Sequence, residues 1–430
     1  MSAEVTVTIP FYGQVSTFRV KRRNLAEILT PRPAPAIENL EAALQETLSH
    51  PVGQERLQEW IKPGDRILLV CDDNTRLTPA DRLLPPLVQA LNQAGVPDGQ
   101  ISVLMALGTH RPMTKNERLA KVGPDLFRRL KVFNHEWDNS EKLIDMGTTK
   151  HGTPIHVNRA AQEPDVILGI GAIVPHHISG FSGSSKIIQP GICGAVTTAE
   201  THLLSARADV SLLGLERNPV REEMDEMADR VGMKTLLNVV LTSEGLVAGI
   251  YFGEMRSVFK KGVELATTIY GVYYHEEPDI VVANSFPCDL DFWQAHKSLY
   301  SAAMMVRRGG TIIVVTPAPE GISSTHSSLL TYTPWSSERI EMAYRRGQIE
   351  DGVGAALAIA WARVREKAGV IMVSPGISAP DKAKLGFTHA DDMESALSEA
   401  FRRQGSQARV SILTHASETL PMQKHEPASA

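Results

Sequence analysis

Side chains able to do chemistry gather in five places along the 430-residue chain. Asp72-Asp73-Asn74-Thr75-Arg76 directly follows the apolar run Arg66–Cys71. Asp, Asn and Thr are ordinary turn and helix-capping residues there, but a guanidinium at a strand end is shaped to hold a carboxylate or phosphate. Leu107-Gly108-Thr109-His110-Arg111-Pro112 closes a second apolar run and offers one imidazole. Pro175-His176-His177 then leads into Gly180-Phe181-Ser182-Gly183-Ser184-Ser185-Lys186, two imidazoles feeding a loop of small residues that ends in a lysine. Glycine and serine let the backbone turn its N–H groups toward an anion, so this segment reads as a phosphate or nucleotide loop. It is not a P-loop, which needs Gly-Lys-Ser/Thr, because Lys186 stands between Ser185 and Ile187. His202 lies sixteen residues beyond Lys186 in a helical stretch, Thr198–Arg207, with no histidine at i+4 and hence no HExxH zinc pattern. Trp293-Gln294-Ala295-His296-Lys297 completes the set; on a helix, Gln294 and Lys297 share a face. His151 and His156 flank a Gly-Thr-Pro turn and read as turn residues.

The elements that must position these groups are legible as short unbroken Val/Ile/Leu runs. They are Arg66–Cys71, Ile101–Leu107, Val166–Val174, Ile280–Ala283, Thr311–Val315, Val370–Val373 and Val410–Leu413. Such runs suit strands buried on both faces of a parallel sheet. Helical patterns separate them, notably Ala80–Ala94, Val220–Val231, Met255–Tyr270, Phe292–Val306, Ser337–Arg345 and Gly352–Ala368. The alternation predicts an α/β protein. A break near residues 271–278 divides it into domains of 1–272 and 273–430, both α/β with mostly parallel sheets, and the active site is expected in an interdomain cleft. Val5–Gly13 and Phe18–Val20 read as an opening hairpin, and the polar end 422–430 as frayed. In open α/β sheets ligands bind beyond the carboxyl ends of the strands, which is where the polar clusters fall.

Composition narrows the class. With 44 basic and 49 acidic side chains the net charge is −5 and no basic block stands out, which argues against a nucleic-acid partner. Three scattered cysteines form no CxxC pair, so neither a disulfide framework nor a thiolate zinc site is expected and a reducing cytoplasm fits. No apolar run reaches the ~20 residues of a spanning helix, so no membrane partner is expected.

Taken in order, Asp73-x-x-Arg76, Gly108-Thr109-His110, Pro175-His176, Gly180-Phe181-Ser182-Gly183-x-x-Lys186, His202 and Gln294-x-x-Lys297 resemble the lactate racemase family. The intervals of ten and sixteen residues on either side of Lys186 are those of the family. The resemblance implies a nickel-pincer nucleotide, a nicotinic acid mononucleotide scaffold whose two sulfurs and a ring carbon hold nickel. A protein histidine, at the position of His202, supplies the fourth ligand. It further implies a cofactor that can be joined to Lys186 through a thioamide, with Asp73, Gly180, Ser182, Gly183, Ser184 and Ser185 contacting it. The first domain would bind the cofactor and carry the catalytic histidines, and the second would position substrate. Cofactor-making enzymes are the implied protein partners.

The implied reaction inverts C2 of a 2-hydroxy acid by reversible hydride transfer. His110 and His176 would be the two acid/bases, one for each enantiomer, with Arg76, Trp293, Gln294 and Lys297 holding the substrate and Asp73 orienting Arg76 or cofactor groups. Closure of the two domains around the substrate would exclude water. Three features depart from the lactate enzymes. Ser184-Ser185 replaces the usual Gly-Ala, Trp293 stands where a tyrosine is usual, and His177 and His296 are additional polar groups. They point to a substrate other than lactate, such as malate, an aromatic 2-hydroxy acid or an aldonate, and leave non-covalent cofactor binding open. Two other readings compete: a phosphotransfer enzyme using the Ser/Gly-Lys loop, with Asp72 and Asp73 holding Mg²⁺, and a non-catalytic cofactor-binding protein.

Overall fold

A computed structural model describes residues 3–11 and 13–424; residues 425–430 of the polar end lie outside the described residues. The chain forms two compact units. The first comprises residues 33–205 and 214–269, and the second runs up to Arg32, takes in 206–213, and continues from Tyr270.

The first unit is built on a six-stranded sheet ordered Val247–Glu254, Thr235–Leu241, Val166–Ala172, Ile67–Asp72, Ile101–Ala106 and Lys131–Asn134. All neighbours are parallel except the outer pair Thr235–Leu241 and Val247–Glu254. Strand Ile67–Asp72 shows why its residues form an unbroken apolar run. Ile67, Leu69 and Cys71 enter the core on one face of the sheet, while Leu68 and Val70 enter the core on the other. Each fully buried Ile, Leu or Val contributes about 1.5–3 kcal/mol of transfer free energy, and a strand covered on both faces gains from every position. The helix Ala80–Gln93 follows the first site loop, and Pro219–Val231 begins with proline at its first turn, an Asn218 cap and a left-handed Gly232 at its end. His156 lies on a strand, Pro154–Asn158, that pairs antiparallel with Leu143–Thr148.

The second unit holds a six-stranded, wholly parallel sheet. Its order is Thr388–Ala390, Gly369–Val373, Thr311–Val315, Ile280–Asn284, Val410–Leu413 and Leu25–Leu29. The opening hairpin, Glu4–Phe11 with Gln14–Lys21, places Val7, Ile9, Phe18 and Val20 in the same core as Ile280, Val282 and Ile313. The opening segment, assigned by sequence to a domain ending at 272, thus belongs structurally with the C-terminal half. The reason is strand Leu25–Leu29, which pairs with Val410–Leu413 and is too short and too mixed to show as an apolar run. Met422 and Gln423, the start of the stretch expected to fray, belong to strand Leu420–Gln423, which pairs with Gly271–Tyr274. No helix among the described residues is long and apolar enough to cross a membrane.

Candidate functional site

Three adjacent parallel strands of the first unit, Val166–Ala172, Ile67–Asp72 and Ile101–Ala106, end on one edge of the sheet, and each runs into one of the polar loops. At the end of Ile67–Asp72, the buried Asp72 pairs with the ammonium of buried Lys121 at 2.9 Å, while that ammonium also donates to the carbonyls of Arg76 and Thr78. Burial raises Asp72, the nearby Lys121 charge notwithstanding, whereas at Lys121 burial works downward but the Asp72 carboxylate and neighbouring groups together raise it. The pair therefore closes the loop at its base. Asn74 ties the loop outward to Glu117, which accepts two bonds from Arg111 and caps the helix Lys115–Val122 with Thr114.

Asp73 faces the site. Its Oδ2 lies 2.6 Å from Nδ1 of His110, and its Oδ1 accepts from the Thr75 N–H and hydroxyl. Burial works to raise this carboxyl, but His110, the Thr75 hydroxyl and the Arg76 charge together hold it well below the ordinary carboxylate range. Sequence assigned Asp73 to Arg76 or to cofactor groups; the structure gives its carboxylate to His110. The Arg76 guanidinium, half-buried, stays within electrostatic reach of Asp73. His110 is fixed further by its own carbonyl, which accepts from the Trp137 indole at 3.3 Å.

The third loop is held from behind. His176 and Gly180 pair in a two-residue antiparallel ladder with Pro175 and Phe181, and His177 stacks on His176 with ring centroids 4.8 Å apart. Gly180 and Gly183 have left-handed backbones, φ +79 and +71, and a Cβ on Gly180 would lie 1.9 Å from the Leu215 carbonyl oxygen. On Gly183 it would lie 2.6 Å from Ile173. Ser182 donates to the Ala172 carbonyl and accepts from the Val174 N–H, Ser184 N–H donates to Asn238, and the Ser185 hydroxyl donates to Asp225. Buried Arg221 donates to the carbonyls of Ser179, Phe181 and Gly183 and to the Ser185 hydroxyl, with its guanidinium 4.3 Å over the Phe259 ring. Burial lowers Arg221 to about 10.

The glycines and serines nominated from sequence as an anion nest are thus engaged in packing the loop against its own unit. What the loop presents is Lys186, half-buried on the short turn Ser184–Ile187. Arg221 and Asp225 were not among the residues singled out by sequence. Their signal, a charged pair four apart on a helix, is indistinguishable there from an exposed helical face.

Lys186 and His202 are joined through the chain between them. Gln189 donates to Thr201, next to His202 on the helix Ala195–Ala206, and Gly108 N–H donates to Gly191 at 3.0 Å, tying the His110 loop to the same segment. Buried His135 braces it, one ring nitrogen at 2.9 Å from the Cys193 carbonyl and the other accepting from Asn158. Burial pushes His135 down to about 4, so it is neutral and structural.

Trp293, Gln294 and Lys297 lie in the second unit. The helix expected over Phe292–Val306 is broken at His296 into Phe292–Ala295 and Lys297–Met305, yet the Lys297 ammonium still meets the Gln294 side-chain carbonyl and lies 3.7 Å from Cys288 Sγ. Trp293 lies flat against His326, with centroids 4.1 Å apart and an 11° interplanar angle, and His326 Nδ1 is bound to Asp351 at 2.8 Å. His296 Nδ1 lies 3.1 Å from the Tyr300 hydroxyl.

A family model described as the lactate racemase N-terminal domain matches residues 12–212, and one for the lactate racemase C-terminal domain matches residues 274–417. The lactate racemase of Lactiplantibacillus plantarum is 25% identical over 420 residues, covering 95% of this chain and 98% of its own. That of Thermoanaerobacterium thermosaccharolyticum is 27% identical over 324 residues, covering 73% and 75%. Among solved structures, the lactate racemase apoprotein of T. thermosaccharolyticum superposes with a TM-score of 0.87 at 24% identity, over 97% of this chain and all of that one. A Thermotoga maritima protein follows at a TM-score of 0.72 and 21% identity, over 91% of this chain and all of that one. These structural likenesses carry the fold.

Proposed function

The chain belongs to the lactate racemase family and is an isomerase of the racemase type, and on that premise we propose that it inverts C2 of a 2-hydroxy acid other than lactate with the help of a nickel-pincer nucleotide. The observation that carries the proposal is the row of loops on one sheet edge of the first unit, with His110 on its carboxylate, His176 on the adjoining loop, and Lys186 and His202 bridged by Gln189 and Thr201.

The donor set fits the cofactor. Among the described residues no group of three or more His, Cys, Asp or Glu side chains could hold a metal unaided. Cys71 and Cys193 are buried thiols that burial pushes far up, away from thiolate. A metal bound here must therefore arrive with most of its donors, which a pincer does, leaving one place for an imidazole. His202 would fill that place and Lys186 would supply the amine of a thioamide link. When bound, the cofactor supplies a hydride acceptor and donor for the substrate carbon.

The protein's own residues do the rest. His110 takes the hydroxyl proton, and the Asp73 carboxylate steadies the imidazolium that results. His176 meets the same substrate oxygen. Arg76, Gln294 and Lys297 hold the carboxylate, the last two pre-paired so that little ordering remains on binding. Trp293, backed by His326 and Asp351, is a rigid flat wall where a lactate enzyme carries tyrosine, which favours a side group larger than methyl: malate, an aromatic 2-hydroxy acid or an aldonate. The enzymes that make the cofactor are the partners this reading calls for, and the cytoplasm is its place. The phosphotransfer alternative loses support because Asp72 and Asp73, its candidates for Mg²⁺, are engaged by Lys121 and His110.

The test is production of the protein together with cofactor-making enzymes, nickel analysis, and chiral assay of a 2-hydroxy acid panel in deuterated water. We expect near-stoichiometric nickel and inversion of at least one substrate without solvent label at C2. Nickel-loaded protein inert toward the whole panel would overturn the activity and leave a cofactor-binding protein.

A further inference from the structure

Trp293 is held in place by the second unit before any ligand arrives. It is buried, 6% exposed, and its main chain is pinned, with Phe292 N–H donating to the Gly321 carbonyl and Trp293 N–H to that of Ile322. His326 covers one face of the ring, with centroids 4.1 Å apart. His326 is clamped in turn, its backbone N–H on the Ser323 hydroxyl and its Nδ1 on Asp351 Oδ2. Asp351 Oδ1 caps the helix Gly352–Lys367 by accepting from the Gly354 N–H. Burial works to raise the Asp351 carboxyl, but the His326 ring and the N–H groups of Gly354 and Val353 hold it below the ordinary carboxylate range. An ionised carboxylate can only accept, so Nδ1 carries the hydrogen and the imidazole keeps one orientation beneath the indole.

What the fixed ring lacks is an acceptor. No group among the described residues takes a hydrogen bond from the Trp293 indole N–H, whereas the half-buried Trp60 and Trp137 donate theirs to the carbonyls of Glu55 and His110. A buried indole N–H ordinarily finds a partner, so an acceptor arriving with a ligand recovers free energy here. His296, between the two short helices, keeps a right-handed helical backbone, so Trp293 and Lys297, four residues apart, fall on one face.

We infer that Trp293 is a specificity-determining residue whose indole N–H binds an oxygen acceptor on the side group of the substrate, with His326 and Asp351 as its positioning residues. The inference rests on the reading of the protein as a 2-hydroxy acid racemase and narrows its substrate. In that reading the C1 carboxylate goes to Arg76, Gln294 and Lys297, and the C2 oxygen to the histidines. The oxygen left for the indole therefore belongs to C3 or beyond. A tyrosine hydroxyl donates or accepts, but an indole N–H only donates, so its partner is a carboxylate or hydroxyl oxygen. Malate and an aldonate supply one; a phenyl or alkyl side group does not. A site built around a donor rejects an analogue that leaves it unpaired more sharply than a site that tests size alone.

The test assays cofactor-loaded enzyme with malate, erythronate, phenyllactate and 2-hydroxybutyrate. We expect kcat/KM for malate or erythronate to exceed that for the other two by at least about tenfold, and a smaller margin would overturn the inference. Malate in front identifies a carboxylate as the acceptor, erythronate a hydroxyl. Trp293→Phe keeps a flat ring on His326 and removes the N–H; the margin should shrink about 10–100-fold, and a margin left intact would equally overturn the inference. Asp351→Asn should shrink it by less, through a raised KM for the favoured acid. A uniform fall for all four acids would overturn the positioning role of His326 and Asp351. The ¹⁵N–¹H resonance of the Trp293 indole, assigned by its loss in Trp293→Phe, reads binding without turnover. It should move downfield with the favoured acid and stay in place with 2-hydroxybutyrate. Enzyme inert toward every acid would defeat the proposed activity, while that resonance still decided whether the indole takes an acceptor.

Discussion

A side chain can be decisive for a site without standing in it, and Arg221 is the example. It is buried, donates to three carbonyls and one hydroxyl of the loop before Lys186, and shares its surroundings with Asp225. Replacing it with alanine strands those carbonyls and leaves the Asp225 carboxyl, already raised by burial, with the Arg256 charge alone. We expect Arg221→Ala to lower stability by about 3–5 kcal/mol in urea denaturation, and Arg221→Lys, which keeps the charge and loses the fork, to lower it by less. His135 makes a second case, with a pH signature. Its folded value of about 4 lies below the ordinary imidazole range, so between those values the unfolded chain binds more protons than the folded one. Its contribution is therefore fully present at neutral pH and is lost as pH falls through that window. The urea midpoint should drop on acidification toward pH ~4, with a shallower drop in His135→Gln. Sequence reading found His110 and Asp73 as members of separate loops. That they touch was hidden because 37 residues separate them and only the adjacency of two strands brings them together. Arg221 stayed invisible for the same reason.

At the scale of elements the sequence spoke most clearly where both faces of a strand are buried. All seven apolar runs are strands, and Met255–Tyr270 and Ser337–Arg345 are helices over the expected residues. Elements with one wet face or little length were missed, among them Leu25–Leu29, Leu40–Ser49 and Val247–Glu254, and so was the fully buried strand Thr235–Leu241, whose apolar run Asn238 interrupts. The loop before Lys186 was legible as unusual, and its small residues also serve its packing. They let a tight turn sit against Leu215, Ile173 and Asn238. Gly183→Ala tests this: its Cβ would lie 2.6 Å from Ile173 and 2.8 Å from the Asn238 side chain, on a left-handed backbone. We expect a loss of about 1–3 kcal/mol, read as a lowered melting temperature in cofactor-free protein. A residue conserving only an anion nest would instead leave the melting temperature of that protein unchanged.

At the scale of the whole chain, two units are laced together by a path that leaves the second at Arg32, returns to it for residues 206–213, and re-enters it at Tyr270. The lacing makes the opening hairpin part of the C-terminal half's core. Ile9→Ala, at a fully buried hairpin position, should therefore destabilise the second unit by about 2–5 kcal/mol. Hydrogen exchange should report it as faster exchange in strands Ile280–Asn284 and Val410–Leu413, with the first unit's strands little changed. The pairing of Leu25–Leu29 with Val410–Leu413 also has a consequence during synthesis. Within that sheet the strand made first has as its neighbour the strand made last, and at about 5–20 residues per second the wait is on the order of 20–80 s. Until residues 280–315 are made, the nascent hairpin carries an apolar face with nothing yet to receive it, while residues 33–269 are already complete enough to condense.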